Sequence, residues 1–374
     1  MRDTDRISGR SVALLTPCFW PEVRRGSERF VRDLADGLIA GGDHPVLITS
    51  HPRRAIGTVE EGLPVRRHWR PPEGRLHRRG HQPHLLHLPS SYLSLRLGSF
   101  DVAHAVHPTD ALVAARWSRA TGRPSVVSYM GLPSHESLAG LRGRVDTVRR
   151  GARECSAAVA LSQAAARAFV RLLGIKPRVI APGVNTARFT PGDQRDVRPT
   201  LFCPAASGEP RKRVGDLVEA FGRLRRAVPG ARLVLARPRM NEIREALDLE
   251  GDGVEVIDVD RAEDLLSAYR QAWVTVLPAV EEAFGLVLIE SMACGTPVVG
   301  RADGAIPEIV DRPQVGRTFT GDQPTALTGA LVEALELAQD PATALACRRR
   351  AEDYSMDRCV AAYRGLYAEL LERA

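Results

Sequence analysis

The order of short apolar runs and amphipathic stretches constrains this chain more than any other feature. Val12-Ala13-Leu14-Leu15 is a short buried-type strand ending at Thr16-Pro17. A loop follows, then a helical stretch from about Ser27 to Ala40, with Phe30, Leu34, Leu38 and Ile39 on one face and Ser27 as its expected cap. Gly41-Gly42 stops it, and Val46-Leu47-Ile48 is the next strand. Strand, helix, strand is the repeating unit of a parallel sheet. The alternation continues through Val102–Val106, the helix Thr109–Ala120, Ser125–Tyr129, Ala157–Leu161, the helix Gln163–Leu173 and Arg178–Ile180. A polar, proline-bounded stretch from Asp193 to Pro199 reads as a linker. The pattern then restarts, with strands at Leu201–Cys203, Leu233–Leu235, Val254–Ile257, Val274–Leu277 and Val298-Val299. Two α/β sheets in sequence are expected, and 374 residues suit two domains.

Bulk properties narrow the classes. Hydrophobic residues are 44% and charged residues 26%, as in soluble globular proteins. No apolar run approaches the ~20 residues of a membrane span. The start, Met1 to Arg6, lacks a signal peptide's apolar core, so a cytoplasmic protein is expected. The cysteines, Cys18, Cys155, Cys203, Cys294, Cys347 and Cys359, are scattered without a Cys-x-x-Cys pair, which suggests neither zinc nor disulfides. Asp258-Val259-Asp260 resembles a metal-binding pair, yet Asp260 reads better as the start of the helix Ala262–Arg270, and no metal is expected. The formal charge is +7 and the pI about 9.4, carried by arginine; Lys176 and Lys212 are the only lysines. That balance favours anionic partners. No nucleic-acid motif accompanies it, so no nucleic acid is expected. The segment 66–97 mixes Arg66, Arg67, Arg70, Arg75, Arg78 and Arg79 with His68, His77, His81, His84 and His87. It reads as a solvated basic loop leading to a surface helix, with contact to an anionic acceptor or membrane surface as the sharper alternative.

The chemistry concentrates between Ala279 and Val299. Glu282 and Glu290 stand eight positions apart around an apolar helical run that Phe284-Gly285 begins and Gly295 closes. At ~1.5 Å rise per residue, continuous helix would separate the two carboxylates by roughly 12 Å. That suits two hydroxyl-bearing groups at the ends of a diphosphate. The N–H groups around Gly285, Leu286 and Val287 would offer an anion site at the helix start. The plainer reading, an amphipathic helix with an acid near its positive end, fits the spacing equally well. In the first half, Gly26 beside Arg24 and Arg25 follows a strand, where parallel sheets bind ligands; a simple turn accounts for it too.

The run from Glu282 through Phe284-Gly285, Glu290 and Gly295-Thr296-Pro297-Val298-Val299 to Gly304-Ala305-Ile306-Pro307-Glu308 resembles the signature of retaining glycosyltransferases of the family 4 type. Ala181-Pro182-Gly183-Val184-Asn185 followed by Phe189 is similar to that family's interdomain turn. The likeness covers nearly the whole chain. It implies the GT-B fold: an α/β architecture of two Rossmann-like domains facing across a cleft, with a C-terminal helix crossing back. The expected parts are an acceptor domain at 1–192, a nucleotide-sugar domain at 200–352 and the returning helix at 353–374. The resemblance makes Glu282, Lys212 and Arg211 catalytic. Gly26, Ser207, Arg213, Phe284, Gly285, Leu286, Val287 and Glu290 would bind the donor, and Met130, Gly131 and His135 would face the acceptor. Glu282 would hold sugar hydroxyls and Glu290 the ribose. Fixed cations would stabilise the charge left on the diphosphate.

Three positions depart from the family pattern. Ser207 stands where an arginine is usual, Met130 where a histidine is usual, and Arg25-Gly26 replaces a glycine pair. The implied reaction moves a sugar from a nucleoside diphosphate of the UDP or GDP type to an acceptor hydroxyl on a surface polysaccharide, glycolipid or natural product. No cofactor is implied, and the location is cytoplasmic or peripheral to the inner face of an anionic membrane. The alternatives are a nucleotide-sugar-binding protein with impaired transfer, motivated by Ser207 and Met130, and a sugar epimerase of the same fold.

Overall fold

Eight strands make the first sheet of the computed structural model, which describes residues 9–22, 26–53, 55–193, 195–205, 209–237 and 253–374. They are β1 (Ser11–Leu15), β2 (His44–His51), β3 (Ile56–Glu60), β4 (Leu63–Trp69), β5 (Val102–Ala105), β6 (Ser125–Tyr129), β7 (Ala157–Ala160) and β8 (Arg178–Val179). Their order is β3-β4-β2-β1-β5-β6-β7-β8, parallel throughout except for the β3–β4 hairpin. The second sheet holds β9 (Thr200–Cys203), β10 (Arg232–Ala236), β11 (Val254–Ile257), β12 (Val274–Leu277), β13 (Val298–Arg301) and β14 (Gly316–Phe319). Its order is β11-β10-β9-β12-β13-β14, and every neighbour pair is parallel. The chain divides into two compact units, Met1–Gly183 with Met356–Ala374, and Val184–Ser355. Helices cover the central strands, which are buried on both faces; β6, β9 and β12 have no exposed or half-buried position.

The last helix, Met356–Glu372, belongs to the first unit. Its Met356, Cys359, Val360, Tyr363, Leu366, Tyr367 and Leu370 join one core with Val12, Phe30, Leu34 and Leu38. Buried polar atoms add direction to that packing. Tyr367 Oη lies 2.7 Å from His104 Nδ1, His104 Nε2 lies 2.7 Å from Ser128 Oγ, and Ser128 Oγ lies 2.8 Å from Tyr363 Oη. Burial pushes the His104 imidazole down to about 3, so it stays neutral and both ring nitrogens are used. Gly37 lets the first helix, Gly26–Ala40, approach closely: a Cβ there would fall 2.3 Å from Val360 Cγ2.

Three expectations are corrected. The segment 66–97 does not start as a solvated loop. β4 takes Leu63–Trp69 and buries Leu63, Val65 and Arg67 on one face. Arg67 donates to Glu60 Oε1 and the Trp20 carbonyl, both at 2.7 Å. The Arg70 guanidinium meets the Pro17 carbonyl at 3.0 Å and the Glu22 carboxylate. These charges are paired inside, which is what burial requires. A surface helix does follow, Leu88–Arg96. Ser27 is not a cap, because the helix begins at Gly26; its Oγ donates to Glu28 Oε1 at 3.0 Å. The boundary lies at Gly183 rather than at 193–199. Val184 N–H donates to the Tyr354 carbonyl at 2.9 Å, and Arg348 grips the Thr186 and Phe189 carbonyls at 2.8 and 2.7 Å. Asp196 N–H is likewise tied to the Gln271 carbonyl at 3.0 Å, so the proline-bounded stretch is part of the second unit.

Candidate functional site

In the second sheet β9 has β10 on one side and β12 on the other, so the strand order reverses there. Loops leaving the carboxyl ends of strands at such a point diverge and leave room for a ligand. The loop after β9 leads into a short turn, Pro210–Lys212. The loop after β12 carries Pro278 to Gly285. Val280 N–H donates to the Arg211 carbonyl at 3.0 Å and joins the two loops.

Side chains complete the junction. Lys212 Nζ lies 2.9 Å and Arg211 Nη1 3.4 Å from Glu282 Oε2. Arg211 also bonds the Val280 carbonyl at 3.3 Å, and its Nε meets Glu209 Oε1 at 3.0 Å. The Glu282 side chain is 13% exposed. Burial alone would raise its pKa, but the Lys212 charge and then Arg211 outweigh that and hold it below the usual carboxylate range. Burial works against the Arg211 charge too, yet Glu282 and Glu209 raise its pKa. An ionised acid and two fixed cations therefore share a partly dehydrated corner. Such a group can accept hydrogen bonds from hydroxyls and neutralise an oxyanion nearby.

The helix beside it runs Leu286–Ala293. Gly285 caps it at φ 95°, in the left-handed region, with no side-chain cap. Leu288 N–H donates to the Gly285 carbonyl at 2.9 Å, while Gly285, Leu286 and Val287 precede the first i−4 carbonyl, and their N–H groups lie at the helix's positive end. Leu286 and Val287 are half-buried, and Phe284 is buried edge-on against Tyr354 with ring centroids 5.3 Å apart. Glu290 is buried on the same helix and accepts from Tyr269 Oη at 2.8 Å. Glu282 precedes the helix by a tight turn, with Glu281 at φ 51°. The separation computed from continuous helical rise therefore does not apply, because that rise begins only at Leu286.

The backbone of this turn is held from β13. Ala305 N–H donates to the Glu282 carbonyl at 2.9 Å, and Glu281 N–H to Asp303 Oδ2 at 2.8 Å. At Gly304, φ is 57° and a Cβ would fall 2.2 Å from the Glu282 carbonyl oxygen. Asp303, Tyr269 and Tyr354 were not read as site residues. Their only signal in the sequence is that Asp303 immediately precedes the glycine of Gly304-Ala305-Ile306-Pro307-Glu308.

Other sequence-predicted residues stand elsewhere. Arg213, at φ 53°, points its guanidinium to Asp322 Oδ1 at 2.8 Å and not to Glu282. Ser207, Arg24 and Arg25 lie outside the described residues. Gly26 starts the first helix of the first unit, with no heavy atom within 4 Å of an added Cβ. Met130 and Gly131 follow β6 at its carboxyl end; Met130 leans on the core, and Gly131 lies against the Tyr129 ring, which an added Cβ would meet at 3.2 Å. His135 is exposed at the start of the short helix His135–Ala139. Among the described residues no group of His, Cys, Asp or Glu is arranged to hold a metal ion, and no helix is long and apolar enough to cross a membrane.

Two family models match the chain: Glycosyltransferase Family 4 over residues 24–188, and Glycosyl transferases group 1 over residues 198–337. Between them they take in most of its length. A D-inositol 3-phosphate glycosyltransferase of Saccharomonospora viridis is 35% identical over 38% of this chain and 39% of its own length. The chain thus spans about two-fifths of that relative. A D-inositol 3-phosphate glycosyltransferase of Catenulispora acidiphila is 28% identical over 71% of this chain and 72% of its own. Among solved structures, sucrose-phosphate synthase from Thermosynechococcus elongatus superposes with a TM-score of 0.77 at 18% identity, covering 98% of this chain and 100% of that one. Anabaena HepE, solved with UDP and glucose, gives 0.74 at 17% identity, covering 95% and 99%.

Proposed function

We propose, from the chain's membership of the family 4 glycosyltransferases with the GT-B fold, that it transfers a sugar from a nucleoside diphosphate sugar of the UDP or GDP type to an acceptor hydroxyl, with retention at the anomeric carbon. The observation that carries this reading is the Glu282 carboxylate gripped by Lys212 and Arg211 beside the uncapped start of the helix Leu286–Ala293. In this account the first-turn N–H groups and Lys212 bind the diphosphate. Glu282 accepts hydrogen bonds from sugar hydroxyls, and Glu290 binds the ribose. The bond between the anomeric carbon and the diphosphate oxygen breaks as the acceptor oxygen bonds to the same face. The acceptor proton passes to a phosphate oxygen of the leaving nucleotide. Lys212 and Arg211 neutralise the charge that grows on the diphosphate, so their stabilisation is greatest at the transition state.

The acceptor belongs with the first unit in this reading, near Met130, Gly131 and His135. The relatives' printed names point to a polyol phosphate as one acceptor, beside the polysaccharide, glycolipid and natural-product classes. A peripheral contact with an anionic membrane fits the exposed Arg78 and Arg79, and the exposed Arg96 beside Leu97; Leu97 is 78% and Leu93 57% exposed. The test is release of nucleoside diphosphate from UDP-, GDP- and ADP-sugars over an acceptor panel, with the product's anomeric configuration read by proton NMR. One donor is expected to react with retention, and Glu282→Ala to lower the rate by at least about 100-fold without unfolding. Binding without release across the panel would favour a transfer-impaired binder. Full activity in Glu282→Ala would sink the assignment.

A further inference from the structure

The connection leaving β13, Arg301 to Ala305, holds the acid-bearing turn at both ends. Asp303 uses both carboxylate oxygens: Oδ2 accepts from Glu281 N–H and Oδ1 from Gly304 N–H, each at 2.8 Å. One residue further on, Ala305 N–H donates to the Glu282 carbonyl at 2.9 Å. Glu281 has φ 51°, a conformation that side chains other than glycine rarely adopt and that persists only where surroundings over-determine it. A two-residue segment is thus clamped in an unusual backbone state, and the second of those residues is Glu282.

We propose that Asp303 is a positioning residue for Glu282. Its carboxylate fixes the left-handed Glu281, and that fixes the direction in which Glu282 leaves the turn toward Lys212 and Arg211 and toward the donor sugar. The inference rests on the reading that Glu282 meets the sugar of a nucleotide sugar. A carboxylate suits the task because it accepts two N–H groups at once. An asparagine would accept one and set its own N–H groups against the other. The nucleotide's diphosphate is held by the helix start and Lys212, which Asp303 does not touch. The effect should therefore appear in the sugar's share of binding and be absent from the nucleotide's.

Titration calorimetry with UDP and UDP-glucose, and with GDP and GDP-mannose, on wild type, Asp303→Ala, Glu282→Ala and the double variant tests this. Asp303→Ala is expected to weaken the nucleotide sugar about tenfold while the bare nucleotide stays within about twofold. In the Glu282→Ala background it should add less than about twofold, because its effect passes through Glu282. Equal losses for nucleotide and nucleotide sugar, or an additive loss in the double variant, would overturn the proposal. Asp303→Asn, which keeps one acceptor, is measured alongside in case Asp303→Ala melts early; it should show the same selective loss for the sugar. If the wild type binds neither nucleotide nor nucleotide sugar, the functional reading itself falls and this one with it.

Discussion

Gly304→Ala puts the site's backbone geometry to a quantitative test. The new Cβ would fall 2.2 Å from the Glu282 carbonyl oxygen and 2.9 Å from its nitrogen. A carbon and a carbonyl oxygen normally sit no closer than about 3.3 Å. Both groups are backbone, so no side chain can swing away, and the turn must move by about 1 Å. The residue would also hold φ 57°, which costs a non-glycine residue about 1–2 kcal/mol. Loosening the Ala305 N–H bond to Glu282 adds about 1 kcal/mol. A loss of about 2–3 kcal/mol should lower Tm by about 4–12 °C for a unit of this size. The rate should fall further than stability does, because a misplacement of about 1 Å at a reacting centre costs about 100-fold. The assay is donor turnover at a temperature where the variant is folded by circular dichroism. Gly329→Ala is the control: it lies on an exposed helix position with no heavy atom within 4 Å of the new Cβ. Gly304→Ala with wild-type turnover and an unchanged Tm would refute the reasoning.

Further outcomes follow from the same contacts. Gly37→Ala should destabilise by about 1–3 kcal/mol through overlap with Val360, and Val360→Ala should restore part of the loss; chemical denaturation of both variants checks this. His104 is held at about 3, below the unfolded value near 6.5, so the unfolded chain takes up the proton first. Its contribution to stability is therefore lost as pH falls below about 6.5, at about 1.4 kcal/mol per unit. His104→Gln should flatten the fall in urea midpoint between pH 7 and pH 5 by one proton. Part of what remains belongs to His68, His84 and His107, all lowered by burial, the last two to about 3 and about 4. An unchanged slope would show that His104 is not buried neutral. Neutralising Arg78 and Arg79 should reduce flotation with anionic vesicles several-fold, and unchanged flotation would remove the membrane contact.

The two-sheet architecture was readable because its central strands are continuous apolar runs between breakers. β6, β11 and β12 have the bounds their sequences suggest. β4 was not readable as a strand, because its buried face includes Arg67, whose charge is cancelled by Glu60 of the neighbouring β3. Hydrophobic alternation cannot register an arginine neutralised by a partner strand. β14 escaped because its four residues put the polar Arg317 and Thr318 between Gly316 and Phe319, leaving no apolar run to read. At the site, Glu282 stood out by its spacing from Glu290, whereas Lys212 and Arg211 were named only through the resemblance to the family. That the cations grip the acid across 70 residues is a consequence of strand order, which places the loops after β9 and β12 side by side. The roles of Asp303 and Gly304 were hidden more deeply. They act through backbone N–H and C=O groups, and a sequence says nothing about which backbones will meet. The helical estimate for Glu282 and Glu290 failed because Gly285 starts the helix three residues after Glu282, not before it.

The most direct measurement is a crystal structure of the protein with an intact nucleotide sugar. The account predicts the diphosphate at the N–H groups of Gly285, Leu286 and Val287 with Lys212 Nζ within about 3 Å of an oxygen, and sugar hydroxyls on the Glu282 carboxylate. A nucleotide sugar bound elsewhere, with the pairing of Glu282 to Lys212 and Arg211 facing only solvent, would contradict it.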